Sequence, residues 1–182
     1  MGELKSPNPV QYFISIIFRD KERMEYAKGK IGEMLGDVKD STNPASFYQT
    51  DYYAKEMGKD LSRIFLLFDS LVSRERLPEV KVRTNDIETL LSEGGKRTVN
   101  IDPGYVSLEN VVLATTKGYS HRIYLGGGIY GDLTFIYHSG TYKPLEWTYP
   151  DYGSEETISL FNHWRASLKK KKIERSGLTT KH

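Results

Sequence analysis

The segment that most restricts the possible folds is an almost unbroken apolar run at residues 11–18, with the sequence QYFISIIF. A strand that faces solvent on one side alternates apolar and polar residues, whereas a strand buried on both faces does not. The run is also rich in isoleucine and aromatic residues, which favour strands. We therefore predict a central strand here. Residues 62–68 (SRIFLLF) predict a second strongly apolar strand.

Helices are predicted between and after these strands. Asp20 can cap a helix whose apolar side chains recur at helical spacing, and Gly36 is placed to end it. A second helix is predicted over residues 76–92, where one face is apolar. A third helix begins after Ser154, because a serine cap followed by two glutamates is typical of a helix N-terminus.

The remaining segments predict short strands and turns. Residues 98–101 predict a strand that is closed by a tight turn at residues 102–104 (DPG). The apolar run at residues 107–115 is too short for periodicity to distinguish a Ser-capped helix from a strand, and we favour the helix. Glycine-containing turns further along predict a three-stranded meander over residues 121–125, 129–137 and 142–147.

The element order predicts an α+β fold. Strand, helix, a possible strand near residues 47–53, strand, helix and strand follow one another, as in the split β-α-β arrangement of ferredoxin-like domains. We predict a single domain over residues 1–182, with a ferredoxin-like core at residues 10–102. The meander and terminal helix, residues 103–182, extend that core. A mixed sheet of another topology is the alternative.

Composition limits the classes of function. The chain has no cysteine, which excludes disulfide scaffolds and thiolate metal sites. Its longest apolar run is too short to span a bilayer, so we expect a cytoplasmic protein without a membrane partner. The net charge of +2 is too small for a general affinity for nucleic acid, and any preference for anions must be local. The oligomeric state is not determined by these features.

Two polar segments hold candidate acidic residues. In residues 50–58 (TDYYAKEMG), Asp51 and Glu56 can coordinate a hard cation or transfer a proton, with Tyr53 between them. An ordinary polar edge strand is the alternative. Strand alternation places Asn100 and Asp102 on one face of a strand end. An Asx turn at Asp102 explains the same residues without a ligand.

A third segment is basic. Lys117, His121 and Arg122 bring an ammonium, an imidazole and a guanidinium into six residues, which is typical of an anion site. His121 is the best candidate for a general acid or base, and a structural histidine is the alternative. Lys81 and Asn85 lie one helical turn apart and share a stripe with Glu88. That stripe can deliver charge to a site or form a solvated, salt-bridged face.

An aromatic segment ends the set, and several standard motifs are missing. Trp147 and Tyr149 offer stacking faces with Asp151 as a polar partner, although such a segment also commonly packs a loop onto a core. The chain contains no Walker P-loop, no G-x-S-x-G and no H-E-x-x-H. The glycines at 126–128 fit a hairpin better than a dinucleotide-binding loop.

Five segments in this order resemble the family catalogued as domain of unknown function 4416: TDYYAKEMG, KVRTNDIE, NIDPGY with Tyr105 at its end, LATTKGYSHRIYL and WTYPDY. The resemblance covers nearly the whole chain. It implies that the five segments belong together, which favours one assembled site, but it implies no reaction. Some members are labelled GTP-binding, and the missing P-loop gives that label no sequence support.

These observations predict a protein that binds a phosphate-containing or other anionic ligand in one polar cleft, possible ligands being a nucleotide, an RNA end or a phosphorylated metabolite. Hydrolytic or phosphoryl chemistry, with an unidentified divalent metal as a possible cofactor, would use the carboxylates and His121. The alternative is a non-enzymatic module that binds RNA or protein. It would use aromatic stacking and the lysines at 169–172. The predicted catalytic residues are Asp51, Glu56, Asp102 and His121, and the predicted ligand-binding residues are Tyr53, Lys81, Asn85, Asn100, Tyr105, Lys117, Arg122, Trp147, Tyr149 and Asp151.

Overall fold

The computed structural model describes residues 2–48, 53 and 56–179, the last five of these in their backbone alone. Within them lie nine strands and three long helices. The strands are β1 (Val10–Phe18), β2 (Val38–Ser41), β3 (Ala45–Ser46), β4 (Ser62–Val72), β5 (Val99–Val106), β6 (Asn110–Thr115), β7 (Arg122–Gly126), β8 (Ile129–His138) and β9 (Thr141–Pro144), and the helices are α1 (Lys21–Leu35), α2 (Leu77–Leu90) and α3 (Glu155–Thr179).

All nine strands belong to one antiparallel sheet. Its order is β2-β4-β1-β5-β6-β8-β7, with β3 beside β4 and β9 beside β8. Strand β1 lies between β4 and β5 and is buried along its whole length, as the apolar run at residues 11–18 predicted. Helix α1 connects β1 to β2, and helix α2 follows β4 and precedes β5. The α+β class is therefore confirmed.

Helices cover both faces of the central sheet. Alternate residues of β1, including Ile14 and Ile16, pack with α1 and α2 in one hydrophobic cluster. Phe13 points to the other face, where its ring meets the ring of Phe161 on α3 at 4.8 Å between centroids. This two-sided burial explains why β1 lacks the alternation of a half-exposed strand.

The predicted helix caps are confirmed. The Oδ1 atom of Asp20 accepts hydrogen bonds from the backbone N–H groups of Glu22 and Arg23, at 2.8 and 3.2 Å. Helix α1 ends before Gly36, whose φ of 89° lies in the region that favours glycine. The Oγ atom of Ser154 accepts a hydrogen bond from the N–H of Thr157 at 3.2 Å, at the start of α3.

The predicted tight turn at residues 102–104 is wrong. Strand β5 continues through these residues, and Asp102, Pro103 and Gly104 pair with Ser15, Ile14 and Phe13 of β1. The local Pro-Gly signal is therefore overridden by pairing with the central strand. It also follows that the boundary placed between residues 102 and 103 falls inside β5.

The predicted helix at residues 107–115 is also wrong, because residues 110–115 form strand β6. The Oγ atom of Ser107 accepts hydrogen bonds from the N–H groups of Glu109 and Asn110, at 3.1 and 2.9 Å. The serine that resembled a helix cap thus organises the turn of the β5–β6 hairpin.

The predicted meander is confirmed, with its third strand shorter than expected. Strand β8 pairs with β6 along one edge, and β7 and β9 share its other edge at opposite ends. The possible strand near residues 47–53 falls partly outside the described residues. Among those that are described, only the two-residue β3 lies nearby, and Tyr53 is helical.

Candidate functional site

The candidate site lies where strands β5 and β6 separate. They pair at only three positions, the last being Gly104 with Leu113. Beyond that point β5 runs back toward Val99 and β6 runs on to Thr115 without pairing to each other. The sheet therefore has an opening between two strands that are neighbours in its order.

Pro103 helps to explain where the pairing stops. Backbone groups of successive strand residues point to alternate edges, and the N–H and C=O of Ile101 bond to side chains of α2 rather than to β1. Pro103 is two residues further on, so its nitrogen faces the same way, toward β6. Because proline has no N–H, it cannot extend the ladder with β6 at that position.

Two side chains of α2 replace the missing strand. The Nζ atom of Lys81 donates to the backbone oxygen of Ile101 at 2.9 Å, and Oε1 of Glu88 accepts from the N–H of Ile101 at 2.5 Å. Lys81 is 5% exposed and Glu88 is 7% exposed. The alternative of a solvated face is therefore wrong for these two residues.

The opening leads into a cavity of about 400 Å³, which is within the usual range for small-molecule sites. Residues from both faces of the sheet line it. They are Phe47, Tyr53, Arg63, Lys81, Asn85, Glu88, Arg97, Asn100, Asp102, Leu113, Ala114, Thr115, Thr116, Lys117, Arg122, Asp132, Tyr149, Asp151 and Tyr152.

One wall of the cavity is a chain of hydrogen bonds. Glu56 accepts from Nε and Nη2 of Arg97, at 3.0 and 2.7 Å, and Nη1 of Arg97 donates to Oδ1 of Asn100 at 2.7 Å. The Nδ2 atom of Asn100 donates to Asp102 at 2.6 Å, and Lys81 donates to the other oxygen of Asp102 at 3.2 Å. The predicted residues Glu56, Asn100, Asp102 and Lys81 are thus connected through Arg97.

The carboxyl groups of this wall have different proton affinities. Hydrogen bonds from Arg97 hold the pKa of Glu56 below its ordinary value, so Glu56 is an anionic partner and a weak base. Burial raises the pKa of Glu88, and the positive charge of Lys81 opposes that change. Burial also raises the pKa of the Tyr53 hydroxyl, which keeps it protonated.

The opposite wall is built around Asp132 of β8. Arg122 donates through Nε to Asp132 at 2.8 Å, through Nη1 to the backbone oxygen of Lys117 at 3.0 Å, and through Nη2 to the hydroxyl of Tyr149 at 3.2 Å. The side chain of Arg122 is 9% exposed. This arginine therefore holds three separate segments together.

His121 lies behind this wall rather than in the cavity lining. Its Nε2 atom is 3.4 Å from Oδ2 of Asp132, and its ring stacks on Trp147 with 5.0 Å between centroids. Trp147 in turn donates from its indole nitrogen to the backbone oxygen of Leu133. The carboxylate neighbour of His121 is thus Asp132, which the sequence analysis did not select.

The side of the cavity nearest α3 contains Arg63 of β4. Its Nη1 atom donates to Oδ2 of Asp151, and both side chains are almost buried, at 12% and 11% exposed. The guanidinium lies 4.4 Å from the ring centre of Phe47 and 5.3 Å from that of Tyr152. Aromatic rings therefore surround the ion pair.

Most predicted site residues meet at this cavity. Tyr105 does not line it, because its ring packs beside Tyr12 and under Arg74 on another part of the molecule. Glu56 and His121 contact the lining residues Arg97 and Asp132 without lining the cavity themselves, and Trp147 stacks on His121. Asp51 lies outside the described residues. The predicted residues that line the cavity are Tyr53, Lys81, Asn85, Asn100, Asp102, Lys117, Arg122, Tyr149 and Asp151.

Sequence reasoning missed Arg63, Arg97 and Asp132, and it noted Glu88 only as part of a stripe. Arg63 and Asp132 each interrupt an apolar strand segment, SRIFLLF and GDLTFIY. A charged residue inside a buried strand needs a partner, and that would have been the signal. Arg97 lies between the turn at Gly94-Gly95 and strand β5 and carries no comparable signal.

Neither a metal site nor a membrane segment emerges from the described residues. No group of three histidine, aspartate or glutamate side chains among them is arranged to hold a metal ion. No helix in the part of the chain that was described is long and apolar enough to cross a membrane.

Comparison with known proteins identifies the family. The family model described as domain of unknown function (DUF4416) matches residues 8–168, so the chain belongs to this family. No curated protein matches the chain. No solved structure matches it either.

Proposed function

We propose that this member of the domain of unknown function 4416 family binds a small anionic metabolite, with a phosphate or another oxyanion group, in the cavity between β5 and β6. One observation carries the proposal. Five cationic side chains from separate parts of the sequence converge on one cavity, namely Arg63, Lys81, Arg97, Lys117 and Arg122.

The charge balance of the lining supports an anionic ligand. Against the five cations stand four lining carboxylates, those of Glu88, Asp102, Asp132 and Asp151, and the carboxylate of Glu56, which is bound to Arg97. Because its pKa is raised, Glu88 stays neutral up to a higher pH than an ordinary glutamate does. The neutral form of Glu88 leaves the lining more positive. In a partly buried site, such an excess of positive charge attracts anions more strongly than it would in water.

We also propose hydrolytic or phosphoryl chemistry at this cavity, with His121 as the general acid or base. Glu56 is bound to Arg97, and Asp102 accepts from both Asn100 and Lys81, so neither carboxylate is well placed to act as a base. His121 and Asp132 together are an imidazole and a carboxylate, the two groups of a common acid–base pair. His121 also directly precedes Arg122 in the chain. Because His121 lies behind Asp132 and does not line the cavity, it can act only on a ligand that reaches past Asp132.

We also propose a split β-α-β core of the ferredoxin-like type, in a cytoplasmic protein. The support for the core is the order β2-β4-β1-β5, with helix α1 after β1 and helix α2 after β4. Helices α1 and α2 pack on the same face of these strands. Strands β6–β9 then extend the sheet from β5.

Thermal unfolding in the presence of anions tests the binding proposal. Inorganic phosphate, pyrophosphate, AMP, GTP and citrate would each be added to the wild type, and at least one should raise Tm in a saturable manner. Lys117 is exposed beside the cavity, so Lys117→Ala should weaken binding of that anion by about threefold to tenfold without loss of fold.

Lys143→Ala is the matched control, because Lys143 is an exposed lysine on β9 outside the cavity lining. It should bind the anion as the wild type does. The proposal fails when none of the five anions raises Tm, or when both lysine variants weaken binding equally, because the second result indicates a diffuse charge effect.

A second candidate function is RNA or protein binding at the meander. Several large side chains there are exposed, including Tyr119 at 70%, Ile123 at 71% and Tyr124 at 59%. Exposed aromatic rings can stack on unpaired bases. Titration of the same samples with a short single-stranded RNA at low salt distinguishes this function, because the cavity proposal requires no RNA affinity.

A further inference from the structure

The three arginines that line the cavity differ in how many of their side-chain nitrogens donate hydrogen bonds to the described residues. All three nitrogens of Arg97 donate to Glu56 or Asn100. All three nitrogens of Arg122 also donate, to Asp132, Lys117 and Tyr149. Among the described residues, Arg63 donates only through Nη1, to Asp151.

Arg63 therefore has donor groups left over in a buried place. Its Nε atom is buried, and neither Nε nor Nη2 has a hydrogen-bond partner among the residues that the structure describes. A buried donor without an acceptor is unfavourable, so such a group in a native protein calls for an explanation, and a bound anion is one. Arg63 is also a lining residue of the cavity, so a ligand can reach its side chain.

The surroundings of Arg63 make it a selective partner for an oxyanion. The rings of Phe47, Phe65 and Tyr152 lie within 5.4 Å of its guanidinium carbon. A ring stacked on a guanidinium leaves the in-plane N–H groups able to donate. The apolar rings also lower the local dielectric, which strengthens a charge-assisted hydrogen bond at that edge.

We propose that Arg63 holds the oxyanion group of the ligand, a phosphate or a carboxylate, through its Nη2 edge, an assignment that rests on the proposed function. Asp151 keeps the guanidinium in place through Nη1. Arg97 and Arg122 shape the two walls and contribute charge. The anchor of the ligand is thus a residue outside all five polar segments of the sequence pattern.

Calorimetric titration with the same five anions, pyrophosphate and citrate among them, tests the assignment and distinguishes a phosphate from a carboxylate ligand. The variants are Arg63→Gln, Arg63→Lys and, as a matched control, Arg165→Gln. Arg165 also stacks on an aromatic ring, that of Tyr137, and donates to a backbone oxygen, but it does not line the cavity. For the anion that binds the wild type, Arg63→Gln should weaken affinity at least about tenfold, Arg63→Lys less, and Arg165→Gln less than about twofold.

The outcomes separate the two proposals. Binding of none of the five anions to the wild type would overturn the proposed function, and the assignment of Arg63 with it. Binding that remains unchanged in Arg63→Gln overturns the assignment alone.

A measurement on the wild type covers the case in which these variants do not fold. The Nε–Hε resonance of Arg63, identified through its proximity to the Phe47 ring, should shift when the binding anion is added. The corresponding resonance of Arg165 should not shift. An unchanged Arg63 resonance at saturation overturns the assignment.

Discussion

The two ends of strand β5 satisfy their backbone groups in different ways. At residues 104–106 the strand pairs with β6 in an ordinary antiparallel ladder. Near Ile101, by contrast, the N–H and C=O groups bond to Glu88 and Lys81 of helix α2. The difference shows how a sheet can contain an opening without leaving buried backbone groups unpaired. Charged side chains that line a cavity can therefore satisfy backbone groups of the sheet and also belong to a site.

We expect the largest change in stability from replacing Lys81, whose ammonium group bonds the Ile101 oxygen where β6 does not pair with β5. Lys81→Met keeps the length and apolar stem of Lys81 but leaves the oxygen of Ile101 and one oxygen of Asp102 without this donor. Because the site is buried, we expect a loss of about 3 kcal/mol in the free energy of unfolding. Urea denaturation measures it.

Asn85→Ala is the control on the same helix. Asn85 lines the cavity, and no side-chain hydrogen bond of Asn85 is found among the described residues, so its loss should change stability by less than about 0.5 kcal/mol. Equal losses in the two variants would show that Lys81 does not substitute for a strand.

A smaller loss is expected at the paired end of β5. A Cβ atom on Gly104 would lie 2.6 Å from the ring of Phe13 and 2.6 Å from the backbone oxygen of Val112. Gly104→Ala should therefore force β1, β5 or β6 to shift, at a cost of about 2 kcal/mol in the free energy of unfolding.

Gly29→Ala is the matched substitution, because no atom lies within 4 Å of its added Cβ and the residue is inside helix α1. It should be neutral or raise stability by about 0.5–1 kcal/mol. A Gly104→Ala protein as stable as the wild type in urea would contradict the close pairing of these strands.

The smallest effect concerns the charge of Glu88. Burial raises its pKa in the folded protein above the ordinary value of 4.5. As the pH rises, Glu88 therefore loses its proton in the unfolded chain before it does so in the folded protein. The free energy of unfolding falls as the pH rises from about 4.5 through the raised pKa of Glu88. Glu88→Gln cannot lose a proton, and it should gain stability relative to the wild type over that pH range.

The measurement is the difference in unfolding free energy between wild type and Glu88→Gln at a series of pH values. Below the ordinary pKa of glutamate the difference should be constant, because Glu88 is protonated in both states. For Glu79→Gln the difference should change with pH in the opposite direction, because Arg76 lowers the pKa of Glu79 in the folded protein. This variant should lose stability relative to the wild type as the pH rises. A pH-independent difference for Glu88→Gln would contradict the raised pKa.

The sequence predicted the parts of the fold that depend on local patterns. The apolar run at residues 11–18, the caps Asp20 and Ser154 and the glycine-containing turns of the meander all act through near neighbours. The errors at residues 102–104 and 107–115 have one physical reason. Pro103 and Ser107 carry turn and cap signals, but the pairing of β5 with β1, and of β6 with β5 and β8, decides how the backbone uses them.

The site was predictable to a lesser degree. Polar segments identified Lys81, Asn100 and Arg122, since polar residues outside the apolar runs are easy to recognise. Their partners were not predictable, because the opening between β5 and β6 depends on which strand ends diverge. Arg63 was missed because it belongs to an apolar strand, and only the fold places that strand's end beside the cavity.

The position of helix α3 has a consequence for the order in which the protein can form. Phe161, Trp164 and Leu168 are fully buried against the face of the sheet that contains Phe13 and Phe65. During synthesis these two phenylalanines emerge long before the helix that covers them. The nascent chain must therefore keep one face of its central strands exposed until residues 161–168 are made, and that interval is when it is most prone to aggregate.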